Sequence, residues 1–168
     1  MYSLFVRQWI RVLGNAERWL DKASAFADAK KVDPKVLLGS RLAPDQFPFT
    51  KQIQIMTDVA KGAAARLAGQ EPPKFDDNEQ TVEDLRARLR KTVAYLEGVK
   101  PEALNGGEAR LIPIPHKPGK GLPGAEYLQQ WAQPNFYFHA TTAYAILRHN
   151  GVELGKSDYL GDVSLRSL

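Results

Sequence analysis

The sequence has no cysteine. Disulfides, thiolate metal ligands and a cysteine nucleophile are excluded together, and a reducing compartment is compatible with the chain. Long hydrophobic runs are also missing. The longest uncharged apolar stretch, Phe136 to Leu147, falls short of the roughly 20 residues that a membrane span needs. The opening "MYSLFVRQWIRVLGNAERWL" is interrupted by Arg7 and Arg11, and no small-residue cleavage site follows. It reads as a helix rather than a signal peptide, and the cytoplasm is the expected location. Histidine is scarce, with only His116, His139 and His149. No H-x-x-x-H or H-E-x-x-H pattern occurs, although that spacing is how one helix presents a pair of metal ligands. On a helix, His139 and His149 stand about 15 Å apart along the axis and about 80° apart around it, too far to share an ion. "LGSRLAP" lacks the G-x-S-x-G elbow. "KPGKGLPG" lacks the Lys-Ser/Thr ending of a phosphate-binding loop. Glu126, Glu153 and Asp158 are scattered, so no carboxylate pair can be argued.

What remains is ordinary for one folded unit. The 168 residues, 43% of them apolar and 25% charged, fit a single domain spanning residues 1–168. Folding at this size buries roughly 70% of the surface of the unfolded chain. The net charge is +4, and "LRARLRK" (Leu85 to Lys91) supplies four of the basic residues. On a helix, Arg86 and Arg90 share a face away from Leu85 and Leu89. That face is either solvated or a phosphate-binding stripe. No aromatic residues interleave with the arginines as a base-stacking platform requires, which argues against nucleic acid.

Four segments carry helical periodicity. Tyr2, Val6, Trp9, Leu13, Ala16, Leu20, Ala23 and Ala27 recur in steps of four and three, which predicts one long amphipathic helix. A proline-containing loop follows, with room for a short helical turn. Ile53, Met56, Ala60, Ala63 and Leu67 predict a second helix from about Phe49 to Leu67, with Gly69 at its C′ position and Pro72 and Pro73 beyond. Thr81, followed three residues later by Asp84, predicts a capping box that opens a third helix, which Gly98 closes. Between residues 100 and 124 the period disappears, and only Arg110 to Ile114 suggests an extended edge hairpin. "AEYLQQWA" then leads to Pro134, expected to open the main part of the fourth helix. Asn150-Gly151 ends it, and the tail is expected as a loop folded back over the helices. The pattern predicts an all-α four-helix bundle with a long crossover before the last helix.

Candidate chemistry gathers around His139. Asn135 lies one turn before it, and Thr142 and Ala143 lie one turn after. On the second helix, Gln52 flanks the Met56 stripe and is the polar residue expected to point inward, with Asp58 further round. Together these could line a polar pocket between helices. They could equally be a hydrogen-bonded core histidine with loop-buttressing amides, since buried polar groups are normally paired.

"PNFYFHATTAYAILRHNGVELGKSDYLG" and "RLAPDQFPFTKQIQIMTDVAKGAAARLAG" together resemble a bacterial and fungal domain-of-unknown-function family similar to the DinB/YfiT-like metalloenzymes. The likeness runs from the first helix through "DYLG". It implies a DinB-like four-helix bundle and a homodimer, to which Trp9, Trp19 and Trp131 could lend an aromatic interface. In that superfamily a nickel or zinc ion is held by one histidine of helix two and two histidines four apart on helix four, and some members are thiol-dependent transferases or isomerases. Here His139 fits one helix-four position, Ala143 stands at the next, and helix two carries Gln52, Gln54 and Asp58 but no histidine. One imidazole with an amide or a carboxylate is a poor site for a divalent transition metal. The resulting expectation is a DinB-like protein without the metal, binding a small molecule near His139, which could act as a metal-free acid or base. Two alternatives stand beside it. One is a zinc- or nickel-dependent transferase or isomerase in which His116 supplies a second nitrogen. The other is a non-catalytic dimeric interaction or stress-related protein.

Overall fold

Four long amphipathic helices carry the fold. The computed structural model describes residues 2–115 and 117–167, with the backbone alone at residues 2–4; His116, the possible second nitrogen donor, lies outside the described residues. Helix α1 (Tyr2–Lys30) buries Val6, Trp9, Leu13, Ala16, Leu20, Ala23 and Ala27, the stripe that its spacing predicts. Asp33 then caps the short α2 (Pro34–Gly39), accepting a hydrogen bond from Lys35 N, with Pro34 preset for the first turn. Helix α3 (Phe49–Leu67) ends at Gly69, whose φ of 71° needs a residue without Cβ. Helix α4 (Val82–Gly98) opens on the capping box: Thr81 Oγ1 accepts from Asp84 N, and Asp84 Oδ2 accepts from Thr81 N.

After α4 comes a 3-10 turn, Pro101–Leu104, and then a small antiparallel pair. Strand β1 (Leu111–Pro113) lies against β2 (Gly121–Pro123), with Ile112 opposite Leu122. This connection is pressed against the end of α3. A Cβ at Gly124 would stand 1.8 Å from Gly107 O, so the two backbones meet there only because residue 124 is glycine, and a Cβ at Gly107 would in turn stand 2.5 Å from Leu67 O. Arg110 donates to Leu67 O, one of the carbonyls that the α3 terminus leaves without a helical partner.

The next helical run is continuous and includes the turns expected ahead of Pro134. It passes from α5 (Gly124–Glu126) through a π-helical segment (Tyr127–Ala132) into α6 (Gln133–His149). Pro134 sits in the first turn of α6 and has no N–H to donate. The carbonyls it would have bonded belong to Gln129 or Gln130, which are exposed, so water can serve them. The tail differs from the expected loop. It contains α7 (Lys156–Leu160), strapped to α1: Asn15 Nδ2 donates to Tyr159 O (2.9 Å), and Trp19 Nε1 donates to Asp158 O (3.0 Å). Lys22 Nζ pairs with Asp158 (2.8 Å), and the Tyr159 ring stacks on Trp19.

Helix α3 packs against α6 and α4, and α1 packs against α4 and α6. Each long helix therefore has two long neighbours, and the chain is mostly helical around one shared core. Trp9 stacks on Phe136 with ring centroids 4.7 Å apart, and both are fully buried. Burying a side chain such as Phe136 stabilises by about 1.5–3 kcal/mol. Trp9 and Trp19 are thus core residues, and neither is available as an interface aromatic. Among the described residues, no helix is long and apolar enough to cross a membrane.

Candidate functional site: a cavity between α3 and α6

Two helix faces line a cavity of about 540 Å³. One is the face of α3 that carries Lys51, Ile55, Val59, Gly62 and Arg66. The other carries Tyr127, Trp131, Asn135 and His139. The second set recurs every four residues, and on a uniform α-helix each such step overshoots a full turn by about 40°. Over three steps the residues would wind away from one another. The π segment prevents this: its turn takes in more residues than an α turn, so the same step falls short and offsets the drift. Tyr127 and Trp131 belong to that segment. The π-helix is therefore what brings four residues from 127 to 139 onto one wall.

At one end of the cavity the imidazole of His139 is held by Gln52. His139 Nδ1 lies 2.7 Å from Gln52 Oε1, and the other side of the same amide donates from Nε2 to Phe47 O at 2.9 Å. The Phe47 carbonyl can only accept, so it fixes which way the amide points. Oε1 then accepts, and Nδ1 of His139 carries the proton. The remaining ring nitrogen, Nε2, is an unprotonated acceptor with no protein partner among the described residues. Burial pushes the His139 pKa down to about 4, so the ring is neutral near pH 7.

At the other end lies Arg66, in the last turn of α3. Its guanidinium folds back over Gly62, where a Cβ would stand 2.6 Å from Nη1. The Tyr127 hydroxyl is near it: burial raises the Tyr127 pKa, and the Arg66 charge offsets part of that rise. No carboxylate pairs with Arg66 among the described residues.

The remaining charges of this region are occupied. Arg88, only 3% exposed, lies behind α3. It donates to Thr57 Oγ1 (2.7 Å), to Glu79 Oε1 (2.8 Å), to Asp58 Oδ1 (2.7 Å) and to the carbonyls of Asp76 and Gln54, with Asp77 at 3.1 Å. Asp58 also holds Lys61 (2.9 Å), and Lys51 holds Asp77 (2.6 Å). Burial would raise the Asp77 pKa, but Lys51 and Arg88 together bring it below the usual carboxylate value. The outer arginines of "LRARLRK" face α1: Arg86 pairs with Asp21 (2.8 Å) and Arg90 with Glu17 (2.6 Å).

Residues 1–160 match the family described as Domain of unknown function (DUF1993). The chain belongs to the DUF1993 family. It is also similar to a solved structure, a DinB family member protein from Shewanella denitrificans, at 48% identity with a TM-score of 0.95. That match covers 99% of this chain and 95% of the other. No curated protein matches the chain.

In this DUF1993 chain, Asp58, Asn135 and His139 all line the cavity. Gln52 stands behind it and holds His139. Thr142 does not join them, because its hydroxyl donates to Phe138 O one turn back (2.7 Å). Ala143 is fully buried. Among the described residues, no three His, Asp or Glu side chains gather closely enough to hold a metal ion. Sequence reasoning missed Arg66, Tyr127 and Trp131. Their signal was present as two four-residue steps, Gly62 to Arg66 and Tyr127 to Trp131, but the second becomes a cavity wall only through the π-helix.

Proposed function

We propose that this chain is a DinB-type four-helix bundle that binds a small organic molecule in the α3–α6 cavity and works without the three-histidine metal site of that superfamily. The observation that carries the reading is the Gln52–His139 hydrogen bond, which directs one fixed ring nitrogen, Nε2, at a ligand-sized cavity. Small-molecule sites are mostly apolar clefts of about 300–1,000 Å³ with a few placed polar groups. With a pKa of about 4, His139 is a poor match for general-base work near neutral pH, which favours a group that titrates close to the operating pH. Its role is to accept a hydrogen bond and orient the ligand.

The donor set does not suit zinc or nickel. Gln52 occupies the helix-two side of the site, and its oxygen is turned to the imidazole N–H. Ala143 offers nothing one turn beyond His139. One imidazole nitrogen cannot replace the three ligands that a catalytic zinc site normally takes from the protein. Self-association rests on the family resemblance alone, since Trp9 and Trp19 are buried within the chain.

A fragment screen by protein NMR tests the reading, with small molecules of mixed charge. Binders are expected to move the indole N–H signal of Trp131 and the ring signals of His139, and to lose affinity in Val59→Trp, which fills the cavity. Binders that leave both residues unmoved would sink the proposal. So would about one equivalent of zinc or nickel in purified protein that is lost on His139→Ala.

A further inference from the structure

We infer that the cavity takes an elongated organic anion, with its carboxylate or phosphate at Arg66 and Tyr127, its apolar body along Trp131, and an O–H or N–H donor on His139 Nε2. The inference rests on the binding reading above and adds the chemical class of the ligand.

The argument begins with unmet bonding capacity. Three cations line the cavity, Lys51, Lys61 and Arg66, against one carboxylate, Asp58. Lys51 and Lys61 already have carboxylate partners, and Asp58 is shared between Lys61 and Arg88. Arg66 is the cation left over. A guanidinium offers five N–H donors in a planar fork that matches a carboxylate or phosphate edge. A solvated arginine at a helix end would need neither a glycine beneath it nor a buried tyrosine beside it. Here Gly62 leaves the slot in which the guanidinium lies, and the hydroxyl of Tyr127, a residue only 2% exposed, is near enough to feel its charge.

The far end supplies the opposite polarity. His139 Nε2 is an acceptor, so a ligand must bring a donor to it. The two ends lie on antiparallel helices, because Gln52 meets His139 and Arg66 meets Tyr127. The levels of Gln52 and Gly62 on α3 are about 15 Å apart, and the reach of the His139 ring shortens the gap between functional groups to about 10 Å. Between them the walls include Ile55, Val59 and Trp131, suited to an aromatic or aliphatic body, with the Asp58–Lys61 pair and Asn135 also on the lining. The order of these residues therefore sets three features of the ligand: an anionic head, a body with an apolar face and a donor tail.

The test is titration monitored at the Trp131 indole N–H, using 3-(4-hydroxyphenyl)propanoate and 2-(4-hydroxyphenyl)ethyl phosphate as the two anionic arms. Which of them binds more tightly names the head group. 4-Propylphenol removes the charge, 4-(2-aminoethyl)phenol reverses it, and 3-phenylpropanoate removes the donor. At least one anion is expected to bind about tenfold or more tightly than 4-propylphenol. Arg66→Gln should abolish that advantage. Gly62→Ala, which favours the helix and displaces the guanidinium without removing its charge, should reduce it. Losing the hydroxyl should weaken binding several-fold in the unaltered protein and leave His139→Phe unaffected. If the neutral or cationic phenol binds at Trp131 as well as the anions do, the charge assignment falls and the binding reading stands. If no probe of any charge moves Trp131, both fall.

Discussion

Two arginines on neighbouring helices have opposite surroundings, and the contrast separates a structural cluster from the proposed binding site. Arg88 on α4 is enclosed and saturated: side chains of Thr57, Asp58, Asp77 and Glu79, with two backbone carbonyls, meet its donors. Arg66 on α3 is half-buried and has no carboxylate partner among the described residues. A buried charge whose partners are all in place has no capacity left for a ligand. Removing it strands its partners, whereas an arginine with open donors can be removed at little cost to the fold. Bonding capacity left unmet, rather than charge or depth, is what the proposed site offers a ligand.

The largest expected effect comes from breaking the saturated side. Arg88→Met should lower the unfolding free energy by about 3 kcal/mol, near the bottom of the range for breaking a buried ion pair, because Asp58 and Asp77 keep partial access to solvent and only Glu79 is left enclosed. Arg66→Gln should cost less than about 0.5 kcal/mol. Urea denaturation of both variants measures the difference, and equal losses would erase the distinction.

An effect of similar size is expected at the histidine end. The folded-state pKa of His139 is about 4, below the unfolded value of about 6.5. As pH falls below about 6.5, the unfolded imidazole takes up a proton that the folded one refuses. Stability should therefore be complete above that pH, decline by about 3 kcal/mol as pH falls toward 4, and level off below it. The carboxylates Asp77 and Asp158 have pKa values lowered from 3.8, so their losses lie at more acidic pH. Denaturation midpoints between pH 7 and pH 4 should show the decline in the unaltered protein and lack it in His139→Gln.

The smallest effect sharpens the comparison most. Gln52→Leu should cost about 2 kcal/mol, the net value of its two hydrogen bonds, to His139 and to Phe47 O, yet it removes what decides which ring nitrogen of His139 carries the proton. Imidazole ¹⁵N shifts should place that proton on Nδ1 in the unaltered protein and move it toward Nε2 in the variant. An unchanged tautomer would mean that something other than Gln52 orients the ring.

The parts of this molecule that were legible in the sequence are those fixed by near neighbours. Thr81 and Asp84 are three residues apart, so their capping box could be read directly, as could Gly69 closing α3 and the three–four stripes of α1, α3 and α4. The inward placement of Gln52 followed from its position beside the Met56 stripe. Arg88 was not legible: within "LRARLRK" it reads as one more solvated cation, and its partners come from α3 and from the loop at residues 76–79. The cavity wall was not legible either, because a π-helical register shift leaves no mark in apolar spacing. The tail motif "SDYLG" was visible as a motif, but its contacts with Asn15, Trp19 and Lys22 lie more than 130 residues away along the chain.

That last separation sets the order in which the molecule can be completed. Gly161, at φ 64°, sits so close to Asn15 that a Cβ there would lie 2.3 Å from Oδ1, and Asn15 itself is fully buried. During synthesis at about 5–20 residues per second, some ten seconds pass between the making of Asn15 and that of its partners. Until then, Asn15 and the indole N–H of Trp19 lack the carbonyls that satisfy them, and α1 can hold only a provisional place among the helices. The contacts that lock the first helix thus form only after residues 158 and 159 have been made. A ribosome product stopped before the strap would carry its fault in the first helix, more than 130 residues away.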